Sequence, residues 1–361
     1  MIIKSFSFLD SLSNIYIDNI KFSNINLLVG ASGAGKTKIL ESIRTILYFL
    51  NSNYNYSPFL FNGRKWEVTF LIDNEEYTWE CEFEKDLNVT QNSVIGIKSE
   101  TLNLNGKNNK ELILKRENDF VKYGNNEIRL NNKASAISML TDDIFSKIIS
   151  SFTKILNIIY PLPQYPVEVN VENIMEEIPL DDIMNKDMHI YHKAYLVQQY
   201  YPVLFNKIKK TYKEIFPFVE DIRLDAQIIQ LNKYRLYFAI KEYKTNWTIF
   251  LSSGMEKTFI TILNIYLSQK GSVFLIDEFE NSLGINCLNE TAELLLDEDK
   301  SYQIIMTSHH PYIINKLGTE NWLIVKRNGG NITAETAEQA GIDIYSAQDP
   351  FLKFINVIEN V

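Results

Sequence analysis

The chain has 361 residues, room for one large domain or two lobes with a sizeable core. Its hydrophobic share of 45%, charged share of 22% and net charge of -9 describe an ordinary globular protein and argue against a broadly basic surface that coats nucleic acid, though not against a local basic groove. Two cysteines far apart (Cys81, Cys287), a polar start (Met1-Ile2-Ile3-Lys4) and no long apolar run exclude a disulfide scaffold and a membrane span of roughly 20 residues, and point to the cytoplasm.

Residues 1 to 29 read as short strands: Ile2, Phe6 and Phe8, then Ile15 and Ile17, then the apolar run from Ile25 to Val29. Gly30-Ala31-Ser32-Gly33-Ala34-Gly35-Lys36-Thr37 follows. This is G-x-x-x-x-G-K-[ST], the phosphate-binding P-loop. Its glycines let the backbone wrap so that successive N–H groups face phosphate oxygens. Lys36 would neutralise the β- and γ-phosphates, and Thr37 would hold Mg²⁺ through its hydroxyl. The next helix would place its positive end on the anion. That helix shows in Ile39, Leu40, Ile43, Ile46, Leu47 and Leu50, an apolar stripe at spacings of three and four. A plain Gly-rich turn is the bland alternative; the flanking strand and helix favour the phosphate site.

Residues 51 to 63 read as a loop. Residues 64 to 85 read as a hairpin around Asp73-Asn74, and 111 to 130 as a further antiparallel meander. Residues 137 to 160 read as helical, and three prolines between Tyr160 and Pro166 mark a boundary. A helical segment over 182 to 216 is interrupted by Pro202. Lys207, Lys209, Lys210 and Lys213 give its last part a basic side. This is either a lid touching a partner or nucleic acid, or a solvated face, and the sparse charge favours the solvated face. Strands return at 234 to 240 and 247 to 251. A helix follows, then strands at 273 to 276, 303 to 306 and 322 to 326, separated by helices around 290 to 296 and 312 to 317. This alternation implies a parallel sheet with sites at the strands' C-terminal ends. The division drawn is an N-terminal lobe over 1–160, a helical lid over 161–220 and a C-terminal lobe over 221–361.

The apolar strand before Asp277 and Glu278 ends as a Walker B motif does. Asp277 would order the Mg²⁺ shell, and Glu278 would orient or deprotonate the attacking water. Asp-Glu after an apolar strand is common by itself; the upstream P-loop gives it meaning. Leu251-Ser252-Ser253-Gly254-Met255-Glu256-Lys257 exposes backbone N–H groups at a helix start, a second anion site. A single P-loop needs no second cradle, whereas two copies facing each other do; an ordinary Ser N-cap is the plain alternative. Thr307-Ser308-His309-His310-Pro311 puts His309 at a strand tip, where it can sense a γ-phosphate. His189 and His192 could offer two metal ligands, but no Cys or carboxylate cluster accompanies them. Asn185-Lys186-Asp187 misses the guanine-reading Asn-Lys-x-Asp by one place, so ATP is favoured over GTP.

This motif order, with Glu280-Asn281-Ser282-Leu283 between the last two, resembles the ABC-type ATPase head of the SMC, Rad50 and RecF group. It is most similar to the compact overcoming-lysogenization-defect-like ATPases of genome maintenance and anti-phage defence. The resemblance covers about residues 1 to 50 and 245 to 326. It implies an α/β P-loop NTPase fold with a parallel core sheet, an antiparallel β-meander lobe and a short helical lid. It also implies Mg²⁺-dependent ATP hydrolysis between two heads that sandwich two ATP molecules. Residues 30–37 of one copy would hold the triphosphate. Ser253 with Gly254 of the other would cap the γ-phosphate, with Ser252 as an alternative alignment. The segment 281–284 resembles the D-loop and His309 the switch histidine. Met255 departs from the signature's second glycine, and Gln91 and Gln164 both remain open as the Q-loop glutamine. Related defence ATPases often carry a TOPRIM nuclease; the roughly 35 residues after the last motif strand are too few for one, so an effector is expected as a separate protein. The expected function is an ATP-driven switch, a self-associating dimer acting on that effector or on DNA, with no membrane partner. The alternative is an ATP-stabilised oligomeric scaffold with little turnover, against which the intact Glu278 argues. A transporter's nucleotide-binding subunit is a third, weaker reading, given the β-insertions.

Overall fold

The computed structural model describes residues 1–51, 58–90, 93, 95–107, 109–158, 167–170, 178–185, 188–230, 233–297, 302–342, 351–353 and 355. By contacts the chain forms two compact units. The first comprises Met1–Asn157, Gly271–Glu278 and Tyr302–Val361, and the second Ile158–Lys270 and Phe279–Ser301.

The first unit is built on one sheet of fourteen strands. Strands β1 (Ile2–Asp10), β2 (Ile15–Lys21) and β3 (Ile25–Val29) open the chain. Strands β4 (Arg64–Ile72), β5 (Glu75–Phe83), β6 (Ile97–Asn105), β7 (Lys110–Glu117), β8 (Phe120–Tyr123) and β9 (Asn126–Arg129) form the meander. Strands β10 (Ile155–Ile158), β15 (Val273–Ile276), β16 (Gln303–Thr307), β17 (Trp322–Asn328) and β18 (Asn331–Thr336) complete it. The order is β10-β15-β16-β3-β17-β18-β2-β1-β4-β5-β6-β7-β8-β9. β15, β16, β3 and β17 pair in parallel. From β1 outward through β9 every pairing is antiparallel. The expected parallel core and antiparallel meander are therefore one continuous sheet.

Local chemistry explains the meander. Asp73 and Asn74 both take positive φ (49° and 69°), as a two-residue hairpin turn requires and as Asp and Asn tolerate. The flanking strands alternate, burying Trp66, Val68, Phe70 and Ile72 on β4, and Tyr77, Trp79, Cys81 and Phe83 on β5. Helix α1 (Lys36–Asn51) supplies Ile39, Leu40, Ile43, Ile46 and Phe49 to the same core. One buried carboxyl, Glu100, accepts from Trp79 Nε1 (3.1 Å), the Ala136 N–H (2.7 Å), the Ser135 hydroxyl and Arg116 Nη1 (3.5 Å). Burial pushes this carboxyl up, while Ser135, Ala136, Arg116 and Trp79 favour the charged form. Four donors converging on one group fit an anion, and the network ties β5, β6 and β7 together.

Three sequence expectations are corrected. The helix expected over 137–160 is two helices, α3 (Ala136–Met139) and α4 (Asp143–Phe152), followed by strand β10. Val273 N–H donates to the Lys154 carbonyl (3.1 Å), so the sheet edge captures the isoleucine-flanked stretch that follows. Within the expected loop 51–63, α2 (Pro58–Phe61) is helical. Proline suits a first helical turn, and Phe61 packs on Phe49 at 5.3 Å. The strand expected over 247–251 pairs only at β14 (Trp247–Thr248), because the Phe250 N–H turns back to Thr248 Oγ1 (3.1 Å).

The second unit carries its own core. Its sheet pairs β13 (Lys233–Glu242) with β12 (Val219–Gln230), β11 (Val167–Asn170) and β14, all antiparallel. Its helices are α5 (Leu180–Asn185), α6 (Ile190–Tyr200), α7 (Pro202–Ile215), α8 (Ser253–Leu267) and α9 (Ile285–Leu295). The interruption expected at Pro202 is a new helix start. Phe238 stacks on Phe259 with centroids 3.6 Å apart, and Tyr212 meets both edge-on. Among the described residues no helix is long and apolar enough to cross a membrane.

Candidate functional site

The turn from β3 into α1 is possible only with glycine at two places. Gly30 lies at φ +149°, and a Cβ there would stand 2.4 Å from the Val325 carbonyl oxygen. Gly35 lies at φ +105°, where a Cβ would meet Ile332 Cδ1 at 2.6 Å. The loop therefore wraps tightly over β17 and β18, and the Ile39 N–H to Gly35 carbonyl bond (3.0 Å) starts the helix behind it. Lys36 is buried, and its ammonium donates to the carbonyls of Gly30 (2.8 Å) and Ala31 (3.0 Å). Burial lowers its pKa, and the carboxylates of Asp277 and Glu278 oppose that shift. Ser32, Gly33 and Thr37 are exposed, Ala31 and Gly35 half-buried, and Ala34 buried.

The carboxylates arrive on the neighbouring strand tips. In the parallel register Ile276 stands beside Met306, which brings Asp277 level with Thr307. The buried Thr307 hydroxyl donates to Asp277 Oδ1 (2.6 Å) and accepts the Glu278 N–H (2.7 Å). One hydroxyl thus sets both acidic residues. Glu278 is exposed and holds φ +45°, a left-handed conformation that costs a non-glycine residue about 1–3 kcal/mol and persists where surrounding structure enforces it. Of the adjacent histidines, His310 turns inward to cap helix α10 (Pro311–Leu317), its Nδ1 accepting the Tyr312 N–H at 3.2 Å. His309 is the exposed one.

A cavity of ≈ 270 Å³ brings Lys36 and Thr37 together with Asp277, Glu278, Thr307 and His309. A second cavity, ≈ 440 Å³, is lined by residues 30–34 and by β17. The lining also includes Thr307 and Arg327, which the sequence motifs do not single out. Thr307 opens the stretch that carries His309, and a threonine at the tip of the strand beside Asp277 is a usable signal. Arg327 directly follows the strand expected at 322 to 326. Among the described residues no cluster of His, Cys, Asp or Glu could hold a metal alone. Mg²⁺ does not need one, because it is commonly held by one or two protein oxygens plus phosphate oxygens and water. Thr37 and Asp277 in one cavity fit that pattern.

The serine-glycine stretch lies in the second unit. Ser252 is the N-cap of α8, its Oγ accepting the Met255 N–H at 3.2 Å. Its hydroxyl therefore serves its own helix, and Ser253 is the exposed first helical residue. Gly254 has a local reason to be glycine: a Cβ would approach the Ser282 carbonyl oxygen at 2.9 Å. The buried Lys257 ammonium donates to the carbonyls of Phe279 (2.8 Å) and Asn281. Residues 252–257 and 279–284 are thus tied into one piece. His189 caps α6, with its Nδ1 accepting the Tyr191 N–H (3.2 Å). On α7, Lys209 pairs with Asp221 (2.8 Å) and Lys210 with Glu214 (3.8 Å), as on a solvated, self-compensated face. Gln91, Gln164, Lys186 and Asp187 lie outside the described residues.

A family model described as "AAA domain, putative AbiEii toxin, Type IV TA system" matches residues 25–315. Among solved structures the chain is similar to an SMC head, in the "Crystal structure of the SmcHead bound to the C-winged helix domain of ScpA". The identity is 15% and the TM-score 0.53, with 94% of this chain and 100% of that chain covered. The "SMC head domain from Thermotoga maritima" also aligns at 15% identity, with a TM-score of 0.43 over 93% and 99% of the two chains. No curated protein matches the chain. The fold is that of an SMC-type P-loop ATPase head.

Proposed function

Because the chain belongs to the AbiEii-type AAA-domain family, we propose that it is a Mg²⁺-dependent ATPase whose hydrolysis drives a conformational switch between two copies. The observation that carries this reading is the single cavity joining Lys36 and Thr37 to Asp277, Glu278 and His309. Backbone N–H groups of residues 32–37 and the Lys36 ammonium would hold the phosphates. Thr37 and Asp277 would hold Mg²⁺, which when bound neutralises phosphate charge. Glu278, exposed at its strand tip, would take a proton from the attacking water. His309 would contact the γ-phosphate end. The second cavity, walled by Ile324 and Val325, has room for sugar and base.

The tied piece of Ser253, Gly254 and residues 281–284 is the surface offered to a second copy, so the active form would be a dimer with composite sites. A single P-loop and a separate exposed helix start support that arrangement. The SMC head of the solved structure is bound to a winged-helix domain; a separate effector protein, or DNA, is the corresponding partner here. A cytoplasmic setting and a role in anti-phage defence or DNA maintenance, of the overcoming-lysogenization-defect kind, complete the proposal. Phosphate release from ATP tests it directly. Turnover is expected with Mg²⁺ and not with EDTA, and no release under either condition would leave only the scaffold reading.

The Thr307 hydroxyl gives a finer test. Thr307→Val keeps the shape and removes both hydrogen bonds. The bond to the Asp277 carboxylate contributes about 1.5–3 kcal/mol and the one from the neutral Glu278 N–H about 0.5–1.5 kcal/mol, so turnover should fall about tenfold or more, with ATP affinity changed far less. Thr307→Ser should restore most of the rate. Equal rates for the threonine and valine proteins would show that Thr307 positions neither carboxylate for the reaction.

A further inference from the structure

We propose that Arg327 grips the phosphate chain where it leaves the P-loop for the sugar, an inference that rests on the nucleotide reading above. Strand β17 runs parallel to β3 with Ile324 opposite Val29. Three residues further on, Arg327 faces the same cavities as Ser32 and Gly33 of the loop. It lines both cavities, and only Ser32 and Gly33 share that placement among the described residues. A residue common to the phosphate cavity and its neighbour stands at the junction of triphosphate and nucleoside, beside the α-phosphate.

The surrounding charges keep this guanidinium available. The cation before it, Lys326, pairs with Glu335 across the hairpin to β18. Among the described residues Arg327 makes no ion pair, and its one hydrogen bond runs from Nε to the Gly329 carbonyl at 2.8 Å. That bond anchors the side chain at one edge and leaves the two terminal nitrogens for a ligand. A planar fork held this way suits two parallel bonds to phosphate oxygens, which a lysine cannot reproduce.

The test compares Mg·ATP and Mg·ADP binding by calorimetry on the full chain, with Arg327→Ala, Arg327→Lys and wild type side by side. Arg327→Ala should weaken both nucleotides by the same factor, about ten- to a hundredfold for lost charge-assisted bonds. Arg327→Lys, which keeps charge but not the fork, should recover part of the loss and keeps the test open should the alanine protein fold poorly. Unchanged affinity for both nucleotides would overturn the inference while leaving the P-loop reading intact. A loss confined to ATP would overturn the placement, moving the contact to the γ-phosphate. A wild type that binds neither nucleotide would remove the nucleotide reading and this inference with it.

Discussion

Lys36→Ala should abolish measurable binding of Mg·ATP while the apo protein still folds. The ammonium sits inside the loop on the carbonyls of Gly30 and Ala31, next to the N–H groups that would face a triphosphate. On the proposed reading its loss would remove at least two charge-assisted bonds to phosphate, each contributing about 1.5–3 kcal/mol. The expected weakening is therefore about a hundredfold or more, and titration calorimetry should give no heat at micromolar nucleotide. Stability should respond little. The lysine is buried, so its removal relieves a desolvation cost that already lowers its pKa, and the tight path of the loop is set by Gly30 and Gly35. A Lys36→Ala protein binding ATP within threefold of wild type would show that the 30–37 loop is not the nucleotide site.

Glu278→Gln separates binding from turnover. The substitution keeps size and leaves the backbone N–H on Thr307 Oγ1, so the unusual φ of this residue and the position of Asp277 should persist. What disappears is the group able to accept a proton. General-base removal costs about 10²–10⁴ in rate, so phosphate release should fall by that factor with ATP affinity retained. If the composite-site reading holds, hydrolysis can no longer open the assembly. Light scattering should then show the mass doubling with saturating Mg·ATP and staying monomeric with Mg·ADP. A monomer under all conditions would end the two-copy model. A fully formed assembly without nucleotide would instead favour the scaffold with little turnover.

What could be read in advance was what is chemically local. The 30–37 loop, the Asp277-Glu278 pair and His309 each announce themselves by residue types at short spacing next to a strand, and the sheet does place them around one cavity. Periodicity likewise anticipates α1 and the 64–85 hairpin. The misreadings come from pairing across sequence. Residues 155–158 are a strand because β15, more than a hundred residues later, offers an edge; a short apolar run cannot declare that by itself. Thr307 matters only because the register sets it beside Asp277, and Arg327 only because β17 lies against the loop. Gly254, expected to cap a facing γ-phosphate, also has a reason to be glycine within its own unit, against the Ser282 carbonyl, and short spacing does not declare that contact.

The order of strands also has a consequence during biosynthesis. The β3 strand leaves the ribosome early, yet both of its partners, β16 and β17, begin only at residues 303 and 322. At about 5–20 residues per second, translation separates β3 from those partners by tens of seconds. Throughout that interval the nascent chain has a P-loop sequence with no platform beneath it and an apolar strand open on both edges. The β1–β4–β5 meander can form in the meantime from neighbouring segments. Nucleotide capture must await the last third of the chain, and the early segment is where holding chaperones would act.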